Sequence, residues 1–238
     1  MTFARKIGDQ HIKNNKLCED YVNGKFNNDT AVIALSDGGG SKKYALETAT
    51  ILVENIITFG LERDIFNATS KDIVDIMNTA LKSATLPMED MGATLLFVVI
   101  KDGKYLAGHI GDGVILLKDN GEFRLLSEPE NGEYLNQTYF LPISIENSHH
   151  LRLYTGDVKP DTGFILSSDG IASLLYDSNS NICMNVCNKL DQWNRIYSFE
   201  ESRQIIKENI DNVLSQYTWD DISIGVLSVM INEPDQLS

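Results

Sequence analysis

The sequence predicts an α+β fold built from layers of sheet and helix. Short apolar runs rich in β-branched residues are separated by tight turns, which is typical of antiparallel hairpins. Segments with helical spacing lie between groups of these runs and do not alternate with them one for one, so a doubly wound parallel sheet is not expected. The 238 residues, 42% of them hydrophobic, contain no internal repeat or Ser/Gly/Pro-rich linker. This favours a single domain over residues 1–238.

One strand and two helices are predicted in the first part of the chain. Residues 30–36 are apolar and β-branched, which predicts a buried strand, and the glycines at 38–40 form a turn after it. Apolar residues then recur at helical spacing over residues 41–59, and Gly60 is predicted to end this helix. A second helix is predicted over residues 70–85.

The rest of the chain predicts an antiparallel meander and then a mixed region. Asp102-Gly103 is a dipeptide favoured in hairpin turns, and residues 127–150 are polar and irregular, which indicates a loop able to cover a site. The predicted strands are residues 92–100, 105–110, 114–117, 123–126, 150–154, 163–167 and 222–230. The predicted helices are residues 179–192 and 200–216.

Charge and composition argue against nucleic acid and membrane as partners. Twenty basic and 34 acidic residues give a formal net charge of −14, so nucleic acid is not expected as a partner, because its phosphates repel an acidic surface. The acidity serves either solubility or cation binding, and charge alone does not decide between them. No signal peptide and no stretch near the roughly 20 apolar residues of a membrane span is found. We therefore expect a cytoplasmic protein with no membrane partner.

The cysteines do not form a recognisable site. Cys183 and Cys187 have the spacing of one helix face, but no second Cys/His pair completes a zinc site. With Cys18 they make an odd number, and reduced, buried thiols are expected.

Acidic residues recur at the ends or edges of predicted strands. An Asp-Gly pair is an ordinary turn former, but Asp37 and Asp169 follow nearly unbroken apolar runs, and Glu19-Asp20 precede the first strong strand. Burying an unpaired carboxylate is unfavourable, and Lys and Arg are scarce nearby, so a counter-charge is expected. The four aspartates in such places are Asp37, Asp112, Asp169 and Asp220.

Divalent metal ions are the simplest source of that counter-charge. Clusters of Asp and Glu without thiols suit Mg²⁺ or Mn²⁺, and a two-ion site commonly needs one bridging carboxylate. Such ions lower the pKa of a bound water and bind phosphoryl oxygens. The sequence has no nucleotide-binding Gly-rich Lys loop, no serine nucleophile elbow, no Cys-x5-Arg phosphatase loop and no EF-hand loop.

Six short motifs containing these residues follow one another along the chain. They are Glu19-Asp20, Asp37-Gly38-Gly39-Gly40, Gly92-Ala93-Thr94, Gly111-Asp112-Gly113, Ser168-Asp169-Gly170-Ile171 and Asp220-Asp221-Ile222-Ser223. Each motif is common by itself. In this order and spacing they resemble the motifs of the metal-dependent protein phosphatases of the PPM, or type 2C, family.

The resemblance implies a four-layer α/β/β/α sandwich, with two central antiparallel sheets flanked by helices and the metal ions at the rim of the sheets. Asp37 would bridge two ions, and the carbonyl of Gly38 would bind the second. Asp169 and Asp220 would hold the first ion. Asp37, Asp169 and Asp220 are therefore the expected catalytic residues.

The remaining implied ligands complete the sites for two Mg²⁺ or Mn²⁺ ions. A third site would raise the number of ions to three. Glu19 would bind the second ion, and Asp20 would either bind it directly or hold its waters. Asp112 together with Asp169 would form the third, weaker site.

The implied reaction is the hydrolysis of phosphoserine or phosphothreonine in proteins that a Ser/Thr kinase has phosphorylated. A metal-bridging water or hydroxide would attack phosphorus directly, and residues 127–150 would form the substrate-facing flap. The chain lacks the family's phosphate-binding Arg before Glu19-Asp20, and His11, Lys13 and Lys16 are the candidates to replace it. Because of this difference, a catalytically weak or inactive regulatory or binding domain of the same fold is the alternative, and a hydrolase of a small phosphorylated metabolite is a third possibility.

Overall fold

The computed structural model describes residues 1–130 and 138–230, and within them the chain forms twelve strands and six α-helices. The strands are β1 (Thr2–Lys6), β2 (Tyr21–Phe26), β3 (Thr30–Ser36), β4 (Leu95–Lys101), β5 (Lys104–Ile110), β6 (Val114–Asp119), β7 (Glu122–Ser127), β8 (Arg152–Asp157), β9 (Gly163–Ser167), β10 (Tyr176–Asp177), β11 (Ile182–Cys183) and β12 (Ile222–Ser228). The helices are α1 (Asp9–Lys13), α2 (Ala45–Glu62), α3 (Ser70–Ser83), α4 (Asp169–Leu175), α5 (Asn185–Ile196) and α6 (Phe199–Asn212).

Ten of these strands form two five-stranded antiparallel sheets. The first sheet has the order β1-β12-β9-β6-β7, and the second has the order β2-β3-β4-β5-β8. Strands β10 and β11 pair separately as a short ribbon. The antiparallel pairing of all these strands agrees with the hairpin turns predicted from the sequence.

The two sheets pack face to face between two layers of helices. Ile33 and Leu96 of the second sheet meet Phe164 and Leu166 of the first in one buried apolar cluster. Helices α2 and α3 cover the outer face of the second sheet, and α4, α5 and α6 cover that of the first. The predicted four-layer α/β/β/α sandwich is therefore confirmed.

Two hairpin turns adopt the backbone that the sequence predicts. Asp102 and Gly103 between β4 and β5 have φ of 49° and 71°, and Asn120 and Gly121 between β6 and β7 have φ of 53° and 86°. Positive φ at both central residues matches the right-handed twist of the flanking strands.

The prediction that Gly60 ends the first long helix is wrong. Helix α2 continues to Glu62, and Gly60 lies inside it against β3 and β4. A Cβ at Gly60 would be 3.0 Å from a methyl of Val32 and 3.2 Å from a methyl of Val99. The glycine therefore allows close packing of helix on sheet and does not act as a cap.

Other boundaries also differ from the prediction, as in the following three cases. The helix expected at 179–192 begins only at Asn185, because Ile182–Cys183 forms β11, so Cys183 and Cys187 do not share a helix face. The strand expected at 150–154 is Arg152–Asp157. The expected loop at 127–150 contains a 3₁₀ helix at Ile145–His150, and its residues 131–137 lie outside the described part of the chain.

The strand ends position the acidic residues. Strand β3 ends at Ser36 just before Asp37, β9 ends at Ser167 just before Asp169, and β12 begins just after Asp220 and Asp221. In the first sheet Ser167 pairs with both Val114 and Ile224, so the end of β9 and the starts of β6 and β12 lie at one edge. The end of β3 in the second sheet lies beside them, because Asp37, Asp169 and Asp220 line one cleft. None of the helices in the two described ranges is long and apolar enough to cross a membrane.

Candidate active site

A polar cleft of about 310 Å³ opens at this shared edge of the two sheets, and we call it the rim cleft. Its walls come from the N-terminal segment, the turn after β3, the β5–β6 connection, the start of α4 and the residues before β12. The lining residues are Gln10, His11, Asn14, Lys16, Glu19, Asp37, Gly38, Gly39, Gly40, Asp112, Phe140, Asp169 and Asp220. The predicted catalytic residues Asp37, Asp169 and Asp220 are thus brought together.

Thr94 fixes the backbone of Asp37. The Asp37 N–H donates to Oγ1 of Thr94 at 2.9 Å, and the Thr94 N–H donates to the Asp37 carbonyl at 2.8 Å. The Ser36 hydroxyl donates to the Thr94 carbonyl. These contacts give the Gly-Ala-Thr motif a structural role, because they lock the turn that presents the Asp37 carboxylate to the cleft.

Three carboxylates converge on one point of the rim cleft. One oxygen from each of Asp37, Asp112 and Asp169 lies within 4.8 Å of the other two. Burial raises the pKa of Asp37 well above its ordinary value, and repulsion from Asp20, Asp169 and Asp112 adds to the rise. Burial likewise raises the pKa of Asp169 to about 6, with repulsion from Asp112 and Asp220 as further causes. The neighbouring residues therefore do not compensate the ionised forms of these carboxyl groups.

Asp20 is the most deeply buried carboxylate near the cleft. It is 0% exposed, and no described residue donates a well-formed hydrogen bond to either carboxylate oxygen. The Arg5 guanidinium donates to the backbone carbonyl of Asp20 and not to its side chain. Burial raises the pKa of Asp20 to about 7, an effect only partly offset by the nearby hydroxyls of Ser223 and Ser168.

Asp112 is held by the connection between β5 and β6 and by the segment after residue 137. Gly111 has φ of +120°, a conformation that places its missing Cβ against the Thr94 side chain, so the turn requires glycine. The Thr138 hydroxyl donates to Oδ2 of Asp112 at 2.5 Å, and Oδ1 is buried without a partner among the described residues. Phe140 closes the same side of the cleft against Gly39.

The three basic candidates for phosphate binding occupy different places. Lys16 lines the rim cleft, with Nζ 3.2 Å from Oε1 of Glu19 and 3.0 Å from the Gly40 carbonyl. His11 also lines the cleft. Lys13 lies outside the cleft lining, and its ammonium is 4.4 Å from the centre of the Trp219 ring.

Asp221 is a residue of the site whose role the sequence did not reveal. Its buried carboxylate accepts hydrogen bonds from Gly8 N–H, Glu19 N–H and His11, and so joins the start of β12 to the N-terminal segment. Phe140 was also missed. The doubled acid Asp220-Asp221 was the only available signal for Asp221, whereas nothing in the sequence distinguished Phe140 from the rest of the polar loop.

The donor set fits hard divalent cations. Both oxygens of Asp20, Oε2 of Glu19 and Oδ1 of Asp112 are buried without a hydrogen-bond partner among residues 1–130 and 138–230. Unpaired buried carboxylates are strongly unfavourable unless a cation compensates them. Oxygen-only clusters of this kind suit Mg²⁺ or Mn²⁺.

Two helix-covered antiparallel sheets with carboxylates at their common rim define the class of PPM-type phosphatases. The sequence matches the family model described as protein phosphatase 2C over residues 7–215. The chain belongs to that family. No curated protein is detectably similar to it in sequence.

Solved structures show the same fold at low sequence identity. The S. agalactiae serine/threonine phosphatase superposes with a TM-score of 0.62 at 15% identity, covering 97% of this chain and 98% of that one. The Mycobacterium tuberculosis serine/threonine phosphatase PstP/Ppp gives 0.65 at 15% identity, with 97% and 98% covered. RsbX in complex with magnesium gives 0.55 at 16% identity, with 95% and 92% covered.

Proposed function

We propose that this protein is a metal-dependent phosphatase that hydrolyses phosphoserine or phosphothreonine in proteins. The convergence of carboxylates from separate segments, several of whose oxygens are buried without a hydrogen-bond partner among the described residues, carries this proposal. Membership of the protein phosphatase 2C family supports the same class of reaction.

The proposed metal ligands divide into three groups. Asp37 would lie between two ions, with the Gly38 carbonyl on the second, while Asp169 and Asp220 would hold the first. Bound ions of this kind lower the pKa of a water molecule and stabilise negative charge on a phosphoryl group.

The other two groups come from the N-terminal segment and the β5–β6 connection. Glu19 and Asp20 would serve the second ion. Asp112 would serve a third ion together with Asp169, whose oxygen lies within 4.8 Å of an Asp112 oxygen.

Residues around the carboxylates orient the substrate and limit water. Lys16 has an ammonium at the cleft wall, and we assign it to the phosphate oxygens, since a cation there offsets the repulsion between phosphate and the carboxylates. Phe140 adds an apolar side chain to the lining, and we assign it to limiting the access of water to that part of the cleft. Thr94 keeps Asp37 in place through its two backbone contacts.

Phosphorylated proteins, produced by a Ser/Thr kinase, are the proposed partners. The cytoplasmic location and the single domain over residues 1–238 stay predictions. A fluorescent fusion and limited proteolysis with mass analysis of the stable fragment would test them.

The decisive assay measures phosphate release from a phosphopeptide and from p-nitrophenyl phosphate, with and without Mn²⁺ or Mg²⁺. We expect hydrolysis only with metal and a nearly complete loss in Asp169→Asn. Full activity in excess EDTA would overturn the metal-dependent mechanism. Faster hydrolysis of small phosphorylated metabolites than of phosphopeptides would contradict the protein substrate.

One observation favours a second candidate, a metal-binding regulatory domain without turnover. No Arg side chain is found in the lining of the rim cleft among the described residues, although Arg binds phosphate bidentately and Lys only as a point charge. Calorimetry separates the two candidates. Metal binding without turnover of any phosphopeptide would support the regulatory domain, and measurable turnover would exclude it.

A further inference from the structure

The imidazole of His11 is held in one orientation on the wall of the rim cleft. Its side chain is 13% exposed, and Nδ1 lies 2.8 Å from Oδ2 of Asp221, whose side chain is 3% exposed. His11 belongs to the short helix α1, which follows Gly8.

The other partners of Asp221 determine which ring nitrogen carries hydrogen. The Gly8 N–H donates to Oδ1 at 2.7 Å, and the Glu19 N–H donates to Oδ2 at 2.6 Å, so both oxygens act as acceptors. Two backbone donors favour the ionised carboxylate, which can only accept, and we therefore assign Nδ1 of His11 as the donor. Nε2 is the atom that His11 presents to the rim cleft.

The surroundings of Nε2 suggest what it binds. Nε2 is 3.5 Å from Oε2 of Glu19, which is too long for a good hydrogen bond. Oε2 is itself buried with no hydrogen-bond partner in the described part of the chain, whereas Lys16 approaches the other oxygen, Oε1, at 3.2 Å. Two ligands of one ion, each about 2.1 Å from it, commonly lie about 3.0–3.5 Å apart.

We propose that His11 supplies a nitrogen ligand to the divalent ion that Glu19 holds, and that Asp221 is the positioning residue that orients the ring. This deepens the metal-dependent function proposed above and rests on it. A carboxylate on the far nitrogen is the usual partner of a metal-binding histidine, because it fixes the tautomer and raises the basicity of the ligand.

The nitrogen ligand has a consequence for the choice of metal. Mg²⁺ is a hard cation that prefers oxygen ligands, whereas transition metals accept imidazole more readily. We therefore expect the site to bind Mn²⁺ more tightly, relative to Mg²⁺, than an all-oxygen site would.

Pulsed electron paramagnetic resonance tests this contact without relying on activity. The full chain, labelled with ¹⁵N at histidine only, is titrated with one to three equivalents of Mn²⁺, and hyperfine coupling of ¹⁵N to Mn²⁺ is measured. We expect coupling in the wild type, its loss in His11→Gln and its retention in His149→Gln. His149 is a matched control, because it is exposed and contacts the Glu146 carbonyl outside the cleft.

Calorimetric Mn²⁺ affinity gives the second measurement. His11→Gln and Asp221→Asn should each weaken Mn²⁺ binding about tenfold or more, with circular dichroism to confirm folding, and His149→Gln should change it little. Absence of ¹⁵N coupling in the wild type at every loading overturns the proposal, as does coupling that persists in His11→Gln.

The outcomes also separate this inference from the proposed function. Coupling without phosphatase activity would leave the nitrogen ligand standing and refute the phosphatase. Metal-dependent activity without coupling would support the phosphatase and refute the nitrogen ligand.

Discussion

Two buried aspartates at opposite ends of the molecule have opposite environments. Asp191, next to Ser228 at the far end of the first sheet, is 1% exposed and accepts from Lys118 at 2.8 Å, Arg195 at 2.9 Å and Ser228 at 2.6 Å. Although burial acts to raise its pKa, hydrogen bonds from Arg195, Lys118 and Ser228 hold the pKa of Asp191 below its ordinary value. Asp20, beside the rim cleft, is 0% exposed and has a pKa raised to about 7.

The difference shows that this chain can neutralise a buried carboxylate with its own residues where the role is structural. It does not do so for Asp20 beside the rim cleft, although the cost of an unpaired buried charge is several kcal/mol. An arrangement that is unfavourable in the metal-free protein persists in a fold when it serves function. The rim carboxylates are thus best explained as ligands that a bound cation completes.

The largest expected effect concerns Asp37 at the centre of the cleft. Asp37→Asn should lower kcat/KM on p-nitrophenyl phosphate by about a thousandfold or more, equal to about 4 kcal/mol, because a neutral amide would not hold two cations as the proposed bridging carboxylate would. Steady-state kinetics with saturating Mn²⁺ measure it. Asp102→Asn makes the same chemical change in an exposed hairpin turn and should leave kcat/KM unchanged. An Asp37→Asn enzyme with a tenth of wild-type activity would contradict the central role.

Asp191, whose charge neighbouring side chains neutralise, should contribute to the stability of the fold and not to metal binding. Asp191→Asn leaves Lys118 and Arg195 partly buried without their anion, so the free energy of unfolding should fall by about 2–4 kcal/mol. Urea denaturation in the presence of EDTA measures it, with the exposed Asp157→Asn as control. A loss smaller than 1 kcal/mol would mean that the network contributes little.

Replacing Asp20 should change the free energy of unfolding in the opposite direction. Its pKa of about 7 exceeds the ordinary value of 3.8, so between these values the folded protein holds a proton that the unfolded chain has released. Stability of the metal-free protein should therefore fall as pH rises from about 4 to about 7, and level off above that. Asp20→Asn should reduce this fall and stabilise the metal-free protein by about 1–3 kcal/mol at the upper pH.

Thermal denaturation in EDTA across this pH range provides the measurement. The same variant should gain less than the wild type when Mn²⁺ is added. If Asp20→Asn instead destabilised the metal-free protein at pH 8, the carboxylate would have a partner that its environment does not show.

The smallest effect concerns Lys16, the one lysine in the lining of the cleft among the described residues. Its pairing with Glu19 is partly exposed, at 39% for the lysine side chain, so Lys16→Ala should change stability by less than about 1 kcal/mol. If Lys16 contacts phosphate, KM for a phosphopeptide should nevertheless rise several-fold. Lys13→Ala, which removes the ammonium over Trp219, should not raise KM, and equal effects of the two would argue against the assignment.

The sequence predicted the layered fold because its signals were local. Buried strands such as β3 were readable as apolar runs, and the hairpin turn at Asp102-Gly103 was readable from turn chemistry. Strands β1 and β2 were missed because β1 lies in a short, charged segment and β2 is interrupted by Gly24. Helix α4 was missed because it has only seven residues. The role of Gly60 was predicted wrongly because a glycine is needed there for close packing against a sheet that is distant in sequence.

The acidic residues of the site were predictable for a similar reason. Asp37, Asp112, Asp169 and Asp220 stand at strand ends, and ends of neighbouring strands meet at a sheet edge. The particular contacts of Asp221 were not predictable, because its partners Gly8 and His11 are more than 200 residues away along the chain. No local pattern reports a hydrogen bond of that span.

The hydrogen bonds of Asp221 also bear on how the protein is made. The backbone of Gly8 and Glu19 is held by a carboxylate that lies 213 and 202 residues further along the chain and is therefore synthesised later. The nascent chain therefore cannot assemble the complete rim cleft until Asp221 has emerged from the ribosome, and the proposed activity should begin only after that point.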